Sequence, residues 1–171
     1  MVACEIGPGV GRWTKYLMDA SSKLYLIDYS KMVCDYWRNK RNAKLHVIHC
    51  QNTRLSDIPD QSVDLVMSFD VFVHLDVEPF FGYMSEAYRI LKPSGIALID
   101  YLSLDDSTTA RWFLRELEKQ DTFGLENEVK RAIFRVHHHE SIQVLAEAIG
   151  FSFANVEDAW RTHNVCTLTK P

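Results

Sequence analysis

The chain has 171 residues, 47% of them apolar and 25% charged, and a formal net charge of -4. That length and balance suit a single globular domain spanning 1–171 with a sizeable core. The mild negative charge excludes a basic field that would draw the protein to nucleic acid or acidic lipid. The sequence shows no signal-peptide pattern or membrane-length apolar run, so no membrane association and a cytoplasmic location are the expectations.

The chain opens on a short apolar run, Val2 to Ile6, interrupted by Glu5 and followed by Gly7-Pro8-Gly9-Val10-Gly11. Trp13, Tyr16 and Leu17 come next at helical spacing. The pattern predicts strand, glycine loop, helix. Glycines let a ligand approach the backbone, and a helix start leaves free N–H groups beside it. The spacing is E-x-G-x-G-x-G, not the G-x-G-x-x-G of a dinucleotide loop.

Lys23 to Asp28 reads as a second strand. Asp28 lies about 20 residues past the start of the glycine loop, where a βαβ unit grips a ribose. Ser30 is itself a good cap for the following helix, which leaves Asp28 free for a ligand. That helix runs to about Arg41, its Lys31, Arg38, Lys40 and Arg41 forming a solvated face.

Leu45 to Cys50 reads as a third strand. His46 and His49 point to opposite faces and cannot share an ion. Gln51, Asn52 and Thr53 follow, suited either to a ligand amide contact or to an Asx turn. Val63 to Phe69 is the fourth strand, and Asp70 to Leu75 lies past its carboxyl end, where ligands bind in open α/β sheets. His74 there is either a proton acceptor or a packing residue.

A helix over Val77 to Leu91 stops at Leu91-Lys92-Pro93-Ser94-Gly95, and Ile96 to Tyr101 is the fifth strand. Ser103 to Arg135 breaks the rhythm, with a helix around Trp112 and a loop at Asp121-Thr122-Phe123-Gly124. Trp112, Phe113, Phe123 and Phe134 suit a pocket wall or a core. His137-His138-His139-Glu140 does not have metal-ligand spacing, so no metal site is expected. A helix capped by Ser141 and closed by Gly150 follows. Phe151 to Trp160 and Asn164 to Thr169 read as a terminal hairpin turning through Arg161-Thr162. The cysteines Cys4, Cys34, Cys50 and Cys166 read as buried reduced thiols.

Glu5-x-Gly7-x-Gly9-x-Gly11 resembles the first motif of the class I methyltransferases that use S-adenosylmethionine (SAM). The approach Asp60-Gln61-Ser62-Val63-Asp64-Leu65-Val66, the Leu91-Lys92-Pro93-x-Gly95 turn and the final hairpin extend the likeness over nearly the whole chain. The resemblance implies an α/β, doubly wound, mostly parallel seven-stranded sheet, Rossmann-like, with a C-terminal antiparallel hairpin strand and helices on both faces. It implies SAM as cofactor. Glu5 would bind its ammonium directly or through water, and Gly7, Pro8 and Gly9 would wrap the amino-acid end. Asp28 would hold the ribose, and Tyr29 and Met32 would flank the adenine. Gln51 or Asn52, with Asn52 preferred, would read the adenine amino group beside Thr53, and Ser68 and Phe69 would bound the site.

By the same resemblance, Asp70, Phe72, His74 and Tyr101 face the acceptor, with His74 the candidate base. Residues 103–140 would form a substrate-side insertion. Members of that family usually carry lid helices before the first strand, where this sequence begins; the expectations are that the protein lacks that lid, that the sequence is a fragment, or that another chain covers the cleft. Ser68-Phe69-Asp70-Val71 is not the (D/N/S)-P-P-(Y/F) motif of enzymes that methylate nucleic-acid amino groups. The expected acceptor is therefore a small molecule, methylated on oxygen in preference to nitrogen. The rival readings are a non-catalytic SAM-binding or partner-regulating module and a nicotinamide-dependent oxidoreductase. The sequence does not set an oligomeric state.

Overall fold

A computed structural model describes residues 1–119, 134–160 and 163–171. Its strands are β1 (Val2–Ile6), β2 (Lys23–Asp28), β3 (Leu45–His49), β4 (Val63–Ser68), β5 (Leu91–Tyr101), β6 (Ser152–Trp160) and β7 (His163–Thr169). The helices are α1 (Thr14–Ala20), α2 (Lys31–Arg38), α3 (Val77–Ile90), α4 (Ser107–Lys119) and α5 (His139–Ile149). The strands form one seven-stranded sheet in the order β3-β2-β1-β4-β5-β7-β6. β1 to β5 are parallel, and β7 runs antiparallel between β5 and β6.

The order reverses at β1. β1 leads outward through β2 to β3, and the chain then returns to place β4 on its other side. At such a switch point neighbouring loops diverge above the carboxyl ends and leave a crevice. The central strands are buried through their length, Ala3 to Ile6 and Leu24 to Ile27, which is why they read as near-continuous apolar runs rather than alternating ones.

One face of the sheet carries the larger core, where α3 and α5 lay Phe80, Met84, Ala87, Ile90, Ile142 and Ala146 over Cys4, Ile6, Val66 and Ile99. The opposite face packs Leu17 of α1 and Trp37 of α2 against Ala3, Leu24 and Leu26. All four cysteines are buried and unbridged. Burial pushes the Cys4 and Cys166 thiols up, Cys166 to about 12, so both behave as small apolar groups.

Several boundaries differ from the sequence reading. β5 begins at Leu91, where Val63 pairs with Leu91 and Leu65 already pairs with Ile96. The Lys92 to Gly95 turn is thus a bulge within the strand edge, with Ser94 at φ 63°. α5 begins at His139, not Ser141, and His138 at its cap position makes no capping bond. A distant carboxylate does that work: Asp105 Oδ2 accepts from His139 N–H at 2.7 Å. Gly150 closes the helix at φ 116°. The Asp121 to Gly124 loop, Phe123 and the Arg161-Thr162 turn lie outside the described residues. Among the described residues no helix is long and apolar enough to cross a membrane.

Candidate functional site

The glycine loop folds as it does because two positions accept no side chain. Gly7 has φ +73°, and a Cβ there would meet Val71 Cγ2 at 2.1 Å. Gly11 has φ +99°, and its Cβ would sit 2.7 Å from the Trp37 ring. Both are left-handed conformations that favour glycine. The loop is tied down by Gly7 N–H donating to Ile27 O at 2.7 Å and Trp37 Nε1 donating to Gly9 O at 2.9 Å. α1 starts only at Thr14, so a turn rather than a helix end follows the glycines.

Two cavities meet over this loop. The larger, about 420 Å³, is walled by Gly7, Gly9, Asp28, Tyr29, Gln51, Asn52, Thr53, Asp70, Val71, His74, Leu75 and Tyr83, among others. That is within the size range of small-molecule sites. The smaller, about 230 Å³, is walled by Glu5, Gly7, Pro8, Gly9, Val10, Arg12, Trp13, Phe69 and Asp70. Gly7, Gly9 and Asp70 belong to both walls. The two hollows therefore form one bent trough, which rises over the loop between the ends of β2 and β4.

Each arm carries a carboxylate. Glu5 is only 4% exposed, and its Oε2 is buried without a hydrogen-bond partner. Burial pushes its carboxyl up to about 7, an effect offset in part by the nearby Thr14 hydroxyl. A buried carboxylate left this way is costly unless a cation arrives. In the other arm, Asp28 Oδ1 accepts from Ser30 N–H at 2.8 Å, while Ser30 Oγ caps α2 by accepting from Val33 N–H at 3.4 Å. Asp28 thus braces the turn with one oxygen and faces the cavity.

The amides divide differently from the sequence preference. Asn52 lines the cavity, but its Oδ1 accepts from Arg54 N–H at 2.8 Å in an Asx turn. Gln51 lines the same wall with no such local bond. Tyr83 closes the far side, its hydroxyl 3.4 Å from Asn52 O; burial pushes the phenol up to about 12, so it acts as a neutral donor.

Other expected site residues stand elsewhere. Phe72 is fully buried against Phe80, ring centroids 4.7 Å apart, because the short 3₁₀ turn Phe72–His74 swings it under the rim. Tyr101 is also fully buried, and its hydroxyl pairs with His139 Nδ1 at 2.7 Å. Ser68 sits opposite Ile6 in the register and donates to Ile6 O at 3.0 Å, bridging β1 and β4. Met32 is 79% exposed on the outer side of α2 and forms no part of either wall.

His74 is exposed, lines the larger cavity and packs on Phe134 at 5.1 Å. Phe134 in turn meets Trp112 at 4.9 Å. The three consecutive histidines diverge: His137 Nε2 lies 3.2 Å from Leu75 O, His138 Nδ1 2.8 Å from Asp105 Oδ1, and His139 reaches Tyr101. They share no centre.

Sequence reasoning missed Arg12, Asp100 and His163. Arg12 Nη1 donates to Asp70 Oδ2 at 2.7 Å across the trough. Asp100, fully buried at the end of β5, accepts from Asp70 N–H at 3.0 Å and from His163 Nδ1 at 2.7 Å. The one available signal was that Asp100 closes a strand at the same rim as Asp28.

A family model described as a methyltransferase domain matches residues 4–99, more than half of the chain. The chain belongs to this methyltransferase family. A probable S-adenosylmethionine-dependent methyltransferase from Mycolicibacterium smegmatis is 30% identical over 95 residues, or 56% of this chain and 35% of that protein. The chain therefore spans well under half of that curated relative. Magnesium protoporphyrin IX methyltransferase from Synechocystis, solved with bound SAH, superposes with a TM-score of 0.72 at 16% identity, covering 99% of this chain and 74% of that one. The Burkholderia thailandensis 1,6-didemethyltoxoflavin-N1-methyltransferase, solved with 1,6-didemethyltoxoflavin and S-adenosylhomocysteine, gives 0.68 at 16% identity, covering 99% and 70%. Such likenesses carry the fold.

SAM is the cofactor of this methyltransferase family, and the trough fits it on observations of its own. An orphaned buried carboxylate oxygen, Glu5 Oε2, lies in the smaller arm, where it would suit a cationic group. A loop that a Cβ would fill lies between the arms, and a second carboxylate, Asp28, lines the larger arm, where it would suit hydroxyl donors. Membership also removes the nicotinamide reading, whose loop spacing this chain lacks.

Proposed function

We propose that this chain transfers the methyl group of SAM to a small-molecule acceptor, oxygen in preference to nitrogen. One observation carries the reading: the bent trough places Glu5 in one arm and Asp28 in the other, with the glycine loop and Asp70 common to both. Bound SAM supplies a methyl group made electrophilic by its sulfonium. The protein's part is then to bind, orient and exclude water. Good alignment lowers a barrier of this kind by about 7 kcal/mol or more at best.

The residues divide that work. Glu5 neutralises the ammonium, Asp28 accepts from the ribose hydroxyls, and Gln51, Asn52 and Thr53 border the base together with Tyr29. Asp70, Val71 and His74 close the acceptor side, with Leu75 and Tyr83 supplying apolar surface and a phenol. The acidic lining suits a cationic cofactor, and the -4 net charge supplies no basic surface for a polyanionic acceptor. Rim histidines suit an acceptor that must lose a proton, which favours a hydroxyl.

The test is calorimetry with SAM, S-adenosylhomocysteine and NAD, followed by a labelled-methyl screen over small hydroxyl and amine acceptors. SAM and S-adenosylhomocysteine should bind and NAD should not. Tight SAM binding with no labelled product across the screen would leave a binding module in place of an enzyme.

A further inference from the structure

Behind Asp70, which both arms of the trough share, the described residues bring Asp100 and His163 to it, the ligand atoms of the three lying within 4.8 Å of one another. The strand register explains the meeting. Asp100 pairs with Val165 and Tyr101 with Asn164 across β5 and β7. His163 therefore lies on the same face as Asp100, one diagonal step along. That is the face of Glu5 and Met67, since β1, β4 and β5 align Glu5 with Met67 and Met67 with Leu98.

The imidazole is held on three sides. Nδ1 lies 2.7 Å from Asp100 Oδ2, and Asp100 is fully buried. The ring stacks on Phe69, centroids 5.7 Å apart and planes 6° apart. Phe69 belongs to the wall of the smaller arm and rests on Trp13 at 5.3 Å. Asp70 Oδ1 stands 3.7 Å from Nδ1. The histidine side chain is only 14% exposed, and Nε2 has no partner among the described residues. An acid that fixes Nδ1–H leaves the Nε2 lone pair available, the arrangement of an oriented base.

We infer that His163 is the general base of this methyltransferase site and that Asp100 is its positioning residue; the inference rests on the methyl-transfer reading above. In the step it performs, the acceptor's O–H or N–H bond breaks as that heteroatom bonds to the methyl carbon. The electron pair of the broken methyl–sulfur bond remains on sulfur. The proton passes to Nε2, and the imidazolium is stabilised by the Asp100 carboxylate. His74 stands apart from this pair, in the larger arm and against Phe134.

Asp70 has a separate task. Its backbone is left-handed at φ 62°, and its N–H is pinned by the same Asp100 oxygen that receives His163. One buried carboxylate thus sets both the base and the strained residue shared by the two arms. The charged groups facing the ring are Asp100 from β5, Asp70 from the loop after β4 and, behind Asp70, the Arg12 guanidinium. A divalent cation is the rival occupant of these atoms. The geometry favours the base, because His163 and Asp100 already share a direct hydrogen bond and Arg12 already covers Asp70 Oδ2.

The experiment compares wild type with His163→Asn, whose amide keeps a donor for Asp100 but cannot take a proton. The probes are a panel of phenols and aromatic amines with labelled SAM. His163→Asn should lower kcat on phenols about 10²–10⁴-fold, abolish the acidic limb of the pH–rate profile and leave the SAM Kd within about twofold. His74→Asn should keep that limb. Nitrogen-15 spectra should show His163 locked as the Nδ1–H tautomer in wild type. Unchanged kcat and pH profile in His163→Asn would overturn the base while leaving methyl transfer standing. Activity lost to a chelator and restored by a divalent metal would also overturn it. Wild type that binds SAM yet methylates nothing in the panel would overturn both readings.

Discussion

The left and right halves of the rim use buried acids in opposite ways. On the β1–β2 side, Glu5 is buried with one oxygen unpartnered and its carboxyl raised to about 7. On the β4–β5–β7 side, Asp100 is buried more completely, yet one of its oxygens receives two internal donors. The first lines a cavity, where the proposed function has it meet a charge from outside. The second is an anchor that shapes its neighbours. Each acid keeps one buried oxygen without a partner among the described residues, Glu5 Oε2 and Asp100 Oδ1; they differ in that Glu5 lines a cavity whereas Asp100 Oδ2 carries two internal donors.

The comparison breaks first at Gly7, where the largest effect is expected. Gly7→Ala puts a Cβ 2.1 Å from Val71 Cγ2 in a left-handed backbone. SAM binding should fall below detection by calorimetry, with stability lowered by about 1–3 kcal/mol. Gly7→Ala combined with Val71→Ala should recover part of the stability, since the clash goes while the strained φ remains. Full SAM binding by Gly7→Ala would show that the loop does not need to come so close.

Glu5 gives the next effect, and it is pH-dependent. Its carboxyl is raised in the folded protein, so the folded state holds its proton more tightly than the unfolded chain. The SAM-free protein should therefore be most stable below about pH 4.5 as far as this group is concerned, and lose up to about 3 kcal/mol as pH rises through about 7. Glu5→Gln should abolish that dependence in thermal melts across pH. SAM brings an ammonium that favours the charged form, so its binding near pH 6.5 should release a proton. Titrations in buffers of different ionisation enthalpy measure this directly, and zero release would remove the ammonium role.

Asp28→Ala should weaken SAM binding by about 1–3 kcal/mol through lost charge-assisted hydrogen bonds, measured by calorimetry; unchanged affinity would remove the ribose role. Met32→Ala, at an exposed position outside both walls, should change neither SAM affinity nor stability by more than about 0.5 kcal/mol. A tenfold loss of affinity there would mean that α2 closes over the base.

The same two halves show how much the sequence discloses. The Glu5 to Gly11 loop and Asp28 were legible because strand, glycines and acid are neighbours along the chain, so spacing alone places them. Asp100 and His163 are 63 residues apart, and only the antiparallel register of β5 and β7 brings them together. Phe72, Ser68 and Tyr101 were placed at the correct rim but on the wrong side of it. Closeness to a strand's carboxyl end sets height above the sheet, whereas strand parity and the 3₁₀ turn after β4 decide direction. Asn52 shows a third limit, since the side chain that suits an adenine contact equally suits an Asx turn, and the turn takes its oxygen.

The most direct measurement is a crystal structure of the chain soaked with SAM. The account predicts the ammonium against Glu5, the ribose hydroxyls on Asp28 and the chain of the ligand bent over Gly7. A ligand lying elsewhere, or a trough that stays empty at saturating SAM, would contradict it.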